Sequence, residues 1–229
     1  MTTGRNEAVI ENAAQKPPIG AGTPPSATER EYWNRRYAAK KLVWTANANR
    51  FVIAEVANLL PGRALDLAAG EGRNAVWLAE RGWSVRAVDF SAVAIEKGGQ
   101  LAVERKIADK IDFEVADLRG YEPVRGGFDL VTLIYLQIPE AELAPIIVQA
   151  ARAVAPGGTF LLVAHDSSNL EQGYGGPQDP DLLYTAEQVL AALGGQLDIE
   201  KAGTVERPVE TDSGIKVAID CLVRGKRHD

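Results

Sequence analysis

The chain has 229 residues, of which 46% are hydrophobic and 24% are charged, and these fractions are ordinary for a globular domain. Its net charge of -6 and pI near 5.1 argue against a general affinity for nucleic acid phosphates, so we expect a small-molecule partner and no nucleic acid. One cysteine, Cys221, excludes an intrachain disulfide and offers no zinc-ligand set. With no apolar run of membrane-spanning length and no secretory signal, we expect a cytoplasmic location.

The N-terminal part divides into a leader and a cap. Residues 1–28 are predicted to be a flexible leader, because they are rich in Ala, Thr, Pro, Gly and Asn and lack apolar periodicity. The rest, 29–229, is predicted to be one domain that begins with a helical cap at about 29–60. The aromatic and basic segment from Tyr32 to Trp44 predicts a helix and a turn. A second helix, ending at Pro61-Gly62, is predicted from the apolar face of Phe51, Val52, Val56, Leu59 and Leu60.

The central part alternates between strand and helix patterns. Strands are predicted near 63–68, 84–89, 111–116, 128–134 and 158–164, with amphipathic helices between the early ones. This alternation is typical of parallel βαβ units in a doubly wound α/β fold. Gln196 to Val205 and Ile215 to Val223 are two β-like runs without a helix between them. They predict an antiparallel hairpin at one edge of the sheet.

A small-residue turn follows the first strand and favours nucleotide binding. Gly70 and Gly72 allow a nucleoside to lie against the backbone, where a Cβ atom would hold it away. Asp89 ends the second strand roughly 20 residues after the turn, which suits a carboxylate that binds a ribose diol. A cap for the helix that begins near Ser91 is the alternative role of Asp89. Asp66 lies in an apolar strand, where a carboxylate is costly unless it is paired.

The run from Ala64 to Asn74 resembles the first motif of the class I S-adenosylmethionine-dependent methyltransferases, an acidic residue followed by a Gly-x-Gly-x-Gly-like turn. Asp66, Ala68, Gly70 and Gly72 take those places, with Ala68 instead of the first glycine. The resemblance continues in the family's order through the segments 115–118, 128–131 and 155–160. It implies a Rossmann-like, mixed seven-stranded sheet whose final strand is inserted antiparallel, and S-adenosyl-L-methionine as the cofactor.

A closer resemblance lies in the segments 31–37 and 43–44, which are similar to the small bacterial methyltransferases related to the tellurite-resistance protein. Thiol and thiopurine methyltransferases belong to the same set of similar proteins. The resemblance implies that Trp33 and Arg36 close over the cofactor, with Arg36 near a carboxylate or an anionic acceptor. A helix that packs on the sheet through its aromatic residues is the alternative.

The resemblance also implies a set of cofactor-binding residues. Asp117 would accept the adenine amino group and the backbone N–H of Leu118 would reach a ring nitrogen, whereas a turn cap is the alternative for Asp117. Ile134 ends the fourth strand beside the methyl-transfer pocket. The full predicted set is Asp66, Ala68, Gly70, Gly72, Asp89, Phe90, Asp117, Leu118, Ile134, Trp33 and Arg36.

Two residues are candidates for catalysis. Tyr135 would form the pocket wall beside the sulfonium, with plain packing as the alternative. His165 follows the fifth strand and would be the general base if one is used, with a structural hydrogen bond as the alternative. The glycine-rich loop 172–180 suits either a substrate lid or an ordinary surface loop. Arg207 is a further candidate for binding an anion, and Trp77 is predicted to belong to the core.

These features predict methyl transfer to a small-molecule acceptor by in-line displacement, with a soft nucleophile such as a thiol or a chalcogen oxyanion favoured. An O- or N-methyltransferase of a larger metabolite and a non-catalytic cofactor-binding protein are the alternatives. A nicotinamide-dependent oxidoreductase fits less well, because the turn offers only Ala75 where its fingerprint has a third glycine. No metal is expected, and the protein is expected to be a monomer or a homodimer.

Overall fold

The structure, a computed structural model, describes residues 26–43 and 45–228. The predicted leader therefore falls outside the described residues as far as residue 25, and so does Trp44 of the aromatic segment. Residues 26–28, which were assigned to the leader, begin the first helix. No helix within the described ranges has the length and apolarity that crossing a membrane requires.

Helices and strands alternate along the described chain. The helices are α1 (Ser26–Ala38), α2 (Arg50–Val56), α3 (Arg73–Glu80), α4 (Ala92–Glu104), α5 (Glu140–Ala153), α6 (Asn169–Gln172) and α7 (Ala186–Leu193). The strands are β1 (Arg63–Leu67), β2 (Ser84–Asp89), β3 (Ile111–Val115), β4 (Phe128–Ile134), β5 (Val154–His165), β6 (Asp198–Thr211) and β7 (Gly214–Lys226). Short 3-10 helices occupy 108–110 and 180–182.

One mixed sheet contains all seven strands in the order β3-β2-β1-β4-β5-β7-β6. Strands β1 to β5 pair in parallel, whereas β7 pairs antiparallel with both β5 and β6. The predicted α/β fold with an antiparallel final hairpin is therefore confirmed. The strand order reverses between β1 and β4, and this reversal opens a crevice at the carboxyl ends of the strands, where open α/β sheets bind ligands.

The core lies on both faces of the sheet, because alternate residues of each central strand point to opposite sides. Leu65 and Leu67 of β1 pack with α5 and α7 residues on one face. Ala64 and Leu130 pack with residues of α2 and α3 on the other face. Burial on both faces explains why the central strands are near-continuous apolar runs.

Two elements, α2 and β5, differ from the predictions. Helix α2 ends at Val56 rather than at Pro61, and Leu60 is 88% exposed instead of forming part of its apolar face. Strand β5 begins at Val154, because residues before the predicted start pair with the beginning of β4 across a register shift. Trp77 packs half-buried against the core, as predicted, and the Arg81 guanidinium lies 3.9 Å from its ring centre.

Candidate active site

A pocket of about 560 Å³, open to solvent, lies at the carboxyl ends of β1, β2 and β4. This volume includes space that is open to solvent. Seven of the predicted site residues line it, namely Trp33, Ala68, Asp89, Phe90, Asp117, Leu118 and Tyr135. The remaining lining comes from Glu29, Tyr37, Arg119, Leu136, Gln137, Ile138 and Ile146. The structure therefore brings residues from distant parts of the sequence together at one opening.

The turn after β1 requires small residues on steric grounds. Gly70 and Gly72 have φ values of 56° and 71°, in the left-handed region that favours glycine. A Cβ atom on Gly70 would lie 2.8 Å from the Tyr37 hydroxyl, and one on Gly72 would lie 2.8 Å from the Phe113 ring. Ala68 also has a positive φ, 56°, which explains why glycine suits this place in the motif. The side chains of Tyr37 and Phe113 therefore pack directly against the two glycines, and neither glycine is among the residues that line the pocket.

Asp89 joins the turn to the end of β2. Its Oδ2 accepts the N–H of Gly70 at 2.9 Å, and its Oδ1 accepts the N–H of Ser91 at 2.9 Å. The hydroxyl of Ser91 caps α4 by accepting the N–H of Ala94, so Asp89 is not the helix cap. Burial raises the pKa of Asp89 to about 6, although both backbone N–H groups favour its ionised form. Each oxygen retains acceptor capacity, and Asp89 lines the pocket.

Asp66 is fully buried directly opposite Thr132 in the β1–β4 register. Its Oδ1 accepts the Thr132 hydroxyl at 2.7 Å, which supplies the partner that a carboxylate in this strand needs. No hydrogen-bond partner of regular geometry reaches its Oδ2. Burial raises the pKa of Asp66 to about 6, against the opposing effect of the Thr132 hydrogen bond and the positive charge of Arg73. The carboxylate lies beneath the turn rather than on the pocket surface.

An ion-pair cluster borders the pocket beyond β3. The Arg119 guanidinium donates to Glu29 of α1 at 2.7 Å, to Asp117 at 3.3 Å and to Glu142 of α5. Asp117 Oδ1 also accepts the backbone N–H of Arg119 at 3.1 Å. These contacts raise the pKa of Arg119 although burial opposes them, whereas burial raises the pKa of Glu29. Asp117 thus has both the predicted place at the pocket and the turn-capping contact that was its alternative.

Helix α1 covers the turn after β1. Trp33 lies in the pocket wall, with its ring 5.7 Å from the Tyr37 ring. Arg36 instead donates to the Tyr32 hydroxyl at 3.3 Å, and its guanidinium lies 5.3 Å from the Trp33 ring centre. Arg36 is not among the residues that line the pocket.

The segment after α1 is tied to the same turn. Glu71, which is 3% exposed, accepts the backbone N–H of Val43 at 2.9 Å. Lys97 of α4 donates to the carbonyls of Tyr37 and Lys40 at the end of α1, and its Nζ lies 3.5 Å from Glu71 Oε1. A cation suits this end of a helix because the unpaired carbonyls carry partial negative charge.

A second polar cluster follows from the register of the C-terminal strands. His165 at the end of β5 lies directly opposite Asp220 of β7, and Arg207 of β6 is opposite Ala218, two residues along β7 from Asp220. Tyr135, with a φ of 57°, follows β4 immediately. We call Tyr135, His165, Arg207 and Asp220 the Asp220 cluster.

Asp220 is the centre of that cluster. Its carboxylate, 0% exposed, accepts the Tyr135 hydroxyl at 2.7 Å and Arg207 Nε at 2.7 Å. His165 Nδ1 lies 3.1 Å from Oδ1 of Asp220, at an angle too oblique for a regular hydrogen bond. Burial raises the pKa of Asp220, but the contacts with His165 and Arg207 outweigh it and hold the value below the ordinary range. Burial and the nearby Asp220 charge raise the pKa of Tyr135, so its hydroxyl stays protonated.

Two predicted residues lie beside the pocket rather than on its surface. Ile134 is 7% exposed and packs in the core. His165 is separated from the opening by Tyr135, whose ring centre lies 4.7 Å from that of the imidazole. The backbone of Gly176, in the predicted lid loop, packs against His165, since a Cβ atom there would lie 3.1 Å from Nδ1. The loop thus contacts the cluster, whichever of its two predicted roles it has.

The sequence analysis did not select Glu29, Arg119 or Asp220. Glu29 was placed at the boundary of the cap, and Arg119 follows the selected Asp117 by two residues. Asp220 offered the clearest signal, because it interrupts the apolar run between Val217 and Val223 in the same way that Asp66 interrupts β1.

Part of this chain is similar to known methyltransferases. Residues 64–158 match the family model described as a methyltransferase domain. The 2-heptyl-1-hydroxyquinolin-4(1H)-one methyltransferase of Mycobacteroides abscessus is 29% identical over 127 residues, which are 53% of this chain and 55% of that protein. The chain spans between about a third and about a half of the length of the curated relatives it matches.

Solved structures share the fold at low identity. A structure described as the conversion of a disulfide bond into a thioacetal group during echinomycin biosynthesis has a TM-score of 0.70 and 22% identity, covering 87% of this chain and 93% of that one. The N-methyltransferase NodS of Bradyrhizobium japonicum, in complex with S-adenosyl-L-homocysteine, has a TM-score of 0.66 and 16% identity, covering 87% and 98%. TehB of Haemophilus influenzae has a TM-score of 0.65 and 16% identity, covering 87% and 67%.

Because residues 64–158 match a methyltransferase domain and NodS holds S-adenosyl-L-homocysteine, S-adenosylmethionine is the cofactor to compare with this pocket. The residues around the pocket fit that molecule, because the small Ala68 at the start of the turn and the carboxylate of Asp89 both line it. Residues 64–158 therefore match a methyltransferase domain, and the sheet that contains them has the Rossmann-like fold of the solved methyltransferase structures.

Proposed function

We propose that this protein transfers a methyl group from S-adenosylmethionine to a small-molecule acceptor. The observation that carries the proposal is the position of Asp89, which holds the glycine turn through the N–H of Gly70 and lines the pocket from the end of β2, the strand that pairs with β1. When bound, the cofactor supplies a methyl group that is activated by its attachment to a sulfonium. The protein residues then need mainly to bind and align the reactants.

Each part of the cofactor has a partner in this proposal. Asp89 accepts the ribose hydroxyls with the acceptor capacity that its two backbone contacts leave. Asp117 and the N–H of Leu118 bind the adenine ring on the opposite side of the pocket. Asp66 gives a negative charge beneath the turn that the cationic methionine part requires. Trp33 covers the cofactor from α1 and excludes water.

The acceptor enters beside Tyr135, where Leu136 and Ile138 make the wall largely apolar. We propose a soft nucleophile, a thiol or a chalcogen oxyanion, as in the tellurite-resistance group that the N-terminal segment resembles. A hydroxyl or nitrogen acceptor on a larger metabolite is the second candidate, and the proximity of His165 to Asp220 favours it, because such acceptors need a base. A protein that binds the cofactor without catalysis is the remaining alternative.

Calorimetric titration with S-adenosylmethionine, S-adenosylhomocysteine and NADH tests the cofactor. We expect binding of the first two and none of NADH, whereas binding of NADH alone would refute the proposal. A panel of thiols, tellurite, selenite, phenols and amines then tests transfer, with S-adenosylhomocysteine measured as the common product. Cofactor binding without product from any acceptor would favour the non-catalytic alternative.

A further inference from the structure

Helix α1 covers the pocket but has little apolar packing of its own. Glu29, Trp33 and Tyr37 are spaced four residues apart, so they share one face of the helix, and all three line the pocket. Among the side chains of residues 29–38, Tyr37 alone is buried. Packing of an apolar face supplies most of the free energy that holds a helix in a fold, so a helix with few buried side chains opens more readily. The polar contacts of α1 therefore have a large effect on how often the pocket opens.

Arg119 connects the N-terminal end of α1 to two other elements of the pocket. Its guanidinium uses a different nitrogen for each partner. Nη2 donates to Glu29 of α1 at 2.7 Å, Nη1 donates to Asp117 after β3 at 3.3 Å, and Nε donates to Glu142 of α5. Arg119 and Glu29 both line the pocket, and their side chains are 26% and 18% exposed. Arg30 Nη2 also lies 3.8 Å from Asp117 Oδ2, but its side chain is 48% exposed and such pairs contribute little.

The other end of α1 is held by α4. Ser91 Oγ, at the start of α4, donates to Asn34 Oδ1 at 2.6 Å. Lys97 of α4 donates to backbone carbonyls at the end of α1. The chain also continues from this end towards α2. A movement that breaks the contact with Arg119 can therefore lift the N-terminal end of α1 from the pocket while the contacts with α4 remain.

We propose that Arg119 is a positioning residue with two linked roles: it holds Asp117 at the adenine end of the pocket, and it fastens α1 over the bound cofactor. The cofactor then enters and leaves only when the Arg119–Glu29 contact opens. The inference rests on the proposed function and adds control of cofactor exchange to it.

The contacts of Asp117 fit the first role. Its Oδ1 accepts the backbone N–H of Arg119 at 3.1 Å and Nη1 of Arg119 at 3.3 Å. Its Oδ2 lies 3.4 Å from the same Nη1, so this oxygen keeps acceptor capacity for the adenine amino group. Recognition of the base and closure of α1 thus depend on one guanidinium.

The first test measures the exchange of S-adenosylhomocysteine, which has no net charge, so the net charge of the protein does not steer its association. Stopped-flow tryptophan fluorescence gives kon and koff, and Trp33→Phe assigns the signal. We expect Glu29→Gln to raise both rate constants about 3- to 10-fold, because a neutral amide accepts a weaker hydrogen bond from Arg119 than a carboxylate does. Kd should stay within about twofold, since the contacts between Arg119 and Asp117 are kept.

Arg119→Lys separates the two roles. Lysine keeps the positive charge but has one nitrogen, so it cannot reach Glu29, Asp117 and Glu142 together. We expect koff to rise more than kon, and the affinity to fall, because Asp117 loses a contact as well. Glu29→Gln added to Arg119→Lys should change the rate constants little further, because both substitutions break the same contact.

The matched control is Glu31→Gln, which makes the same chemical change in the same helix. The Glu31 side chain is 69% exposed, and its charged partner Arg35, 3.9 Å away, also belongs to α1. This pair does not fasten the helix to the rest of the fold, so both rate constants should equal those of wild type. Unchanged rate constants in Glu29→Gln, or a rise in koff without a rise in kon, would refute control of exchange by the Arg119–Glu29 contact.

The wild type provides a readout that needs no substitution. Raising the salt concentration from about 50 to about 500 mM shortens the Debye length from roughly 14 to roughly 4 Å, and should raise both rate constants in wild type but hardly in Glu29→Gln. Exchange in the wild type that does not depend on salt would overturn the inference even if a variant fails to fold. Failure of the wild type to bind S-adenosylmethionine and S-adenosylhomocysteine overturns the proposed function, and this inference with it. Intact binding with unchanged exchange rates overturns this inference alone.

Discussion

Replacing Asp66 by asparagine tests whether the first strand contains a carboxylate that is costly to ionise. The pKa of Asp66 rises from 3.8 to about 6 on folding, because burial outweighs the Thr132 hydrogen bond and the nearby Arg73 charge. At 1.36 kcal/mol for each pKa unit, ionising the folded protein at pH 7 costs about 3 kcal/mol more than ionising the unfolded chain. Asparagine keeps an oxygen for the Thr132 hydroxyl and never ionises.

The sign of the effect follows from the raised pKa. The stability that protonated Asp66 contributes is present below about pH 4 and is lost as the pH rises through 6. A packing cost of the new amide that does not depend on pH changes the free energy of unfolding of Asp66→Asn by the same amount at acidic and at neutral pH. Between pH 4.0 and 7.5, the free energy of unfolding of Asp66→Asn should therefore gain on that of wild type by about 2.4 kcal/mol, because part of the effect is already present at pH 4.0.

Urea unfolding of the cofactor-free protein, followed by tryptophan fluorescence between pH 4.0 and 7.5, measures this difference. Thr132→Val is an informative companion, because it removes the hydroxyl that Asp66 Oδ1 accepts and should make the pH dependence steeper. A difference between Asp66→Asn and wild type that does not change with pH would refute the reasoning. Such a result would mean that Asp66 ionises in the fold as readily as in water.

Three further predictions concern the pocket. Asp89→Asn should weaken S-adenosylmethionine binding by about 10- to 100-fold in calorimetry. The amide oxygen can accept only one of the two backbone N–H groups, and the substitution removes the negative charge. The control Asp112→Asn, on the exposed part of β3, should leave cofactor affinity unchanged. Cofactor affinity should fall as the pH drops below about 6, where Asp89 takes up a proton; affinity that is constant from pH 5 to 8 would contradict this. Arg119→Gln should increase hydrogen exchange in α1, because it breaks the contact with Glu29. Exchange rates equal to those of wild type would show that Arg119 does not hold α1 in place.

The fold was largely predictable because the apolar runs and the small-residue turn are local signals. Five parallel strands and the final hairpin followed from strand and helix alternation, and Gly70 and Gly72 marked the turn. The end of α2 was not predictable in the same way. Leu60 continues the apolar spacing of that helix, but the chain leaves the helix at Val56 and exposes Leu60 before β1.

Site residues that directly follow one strand could be predicted from the sequence. Contacts that depend on how two distant strands pair with each other could not be predicted as well. Asp89 follows its strand directly and lies on the pocket. Asp220 meets His165 only because β7 runs antiparallel to β5 with those two residues opposite each other. The Arg119 contacts likewise join three segments that are far apart in sequence, Glu29, Asp117 and Glu142. Neither set of contacts produces a recognisable pattern among residues that are neighbours in the sequence.

The left-handed backbone at Ala68 and Tyr135 bears on any attempt to engineer this protein for heat resistance. Among the described residues, three that are not glycine have a positive φ, and two of these line the pocket. Such a conformation costs an L-residue roughly 1–2 kcal/mol, so glycine at either position would relieve the backbone. At Tyr135, however, that relief would remove the wall between the pocket and the imidazole. A substitution that relaxes the backbone at this strand end would therefore also change the lining of the pocket.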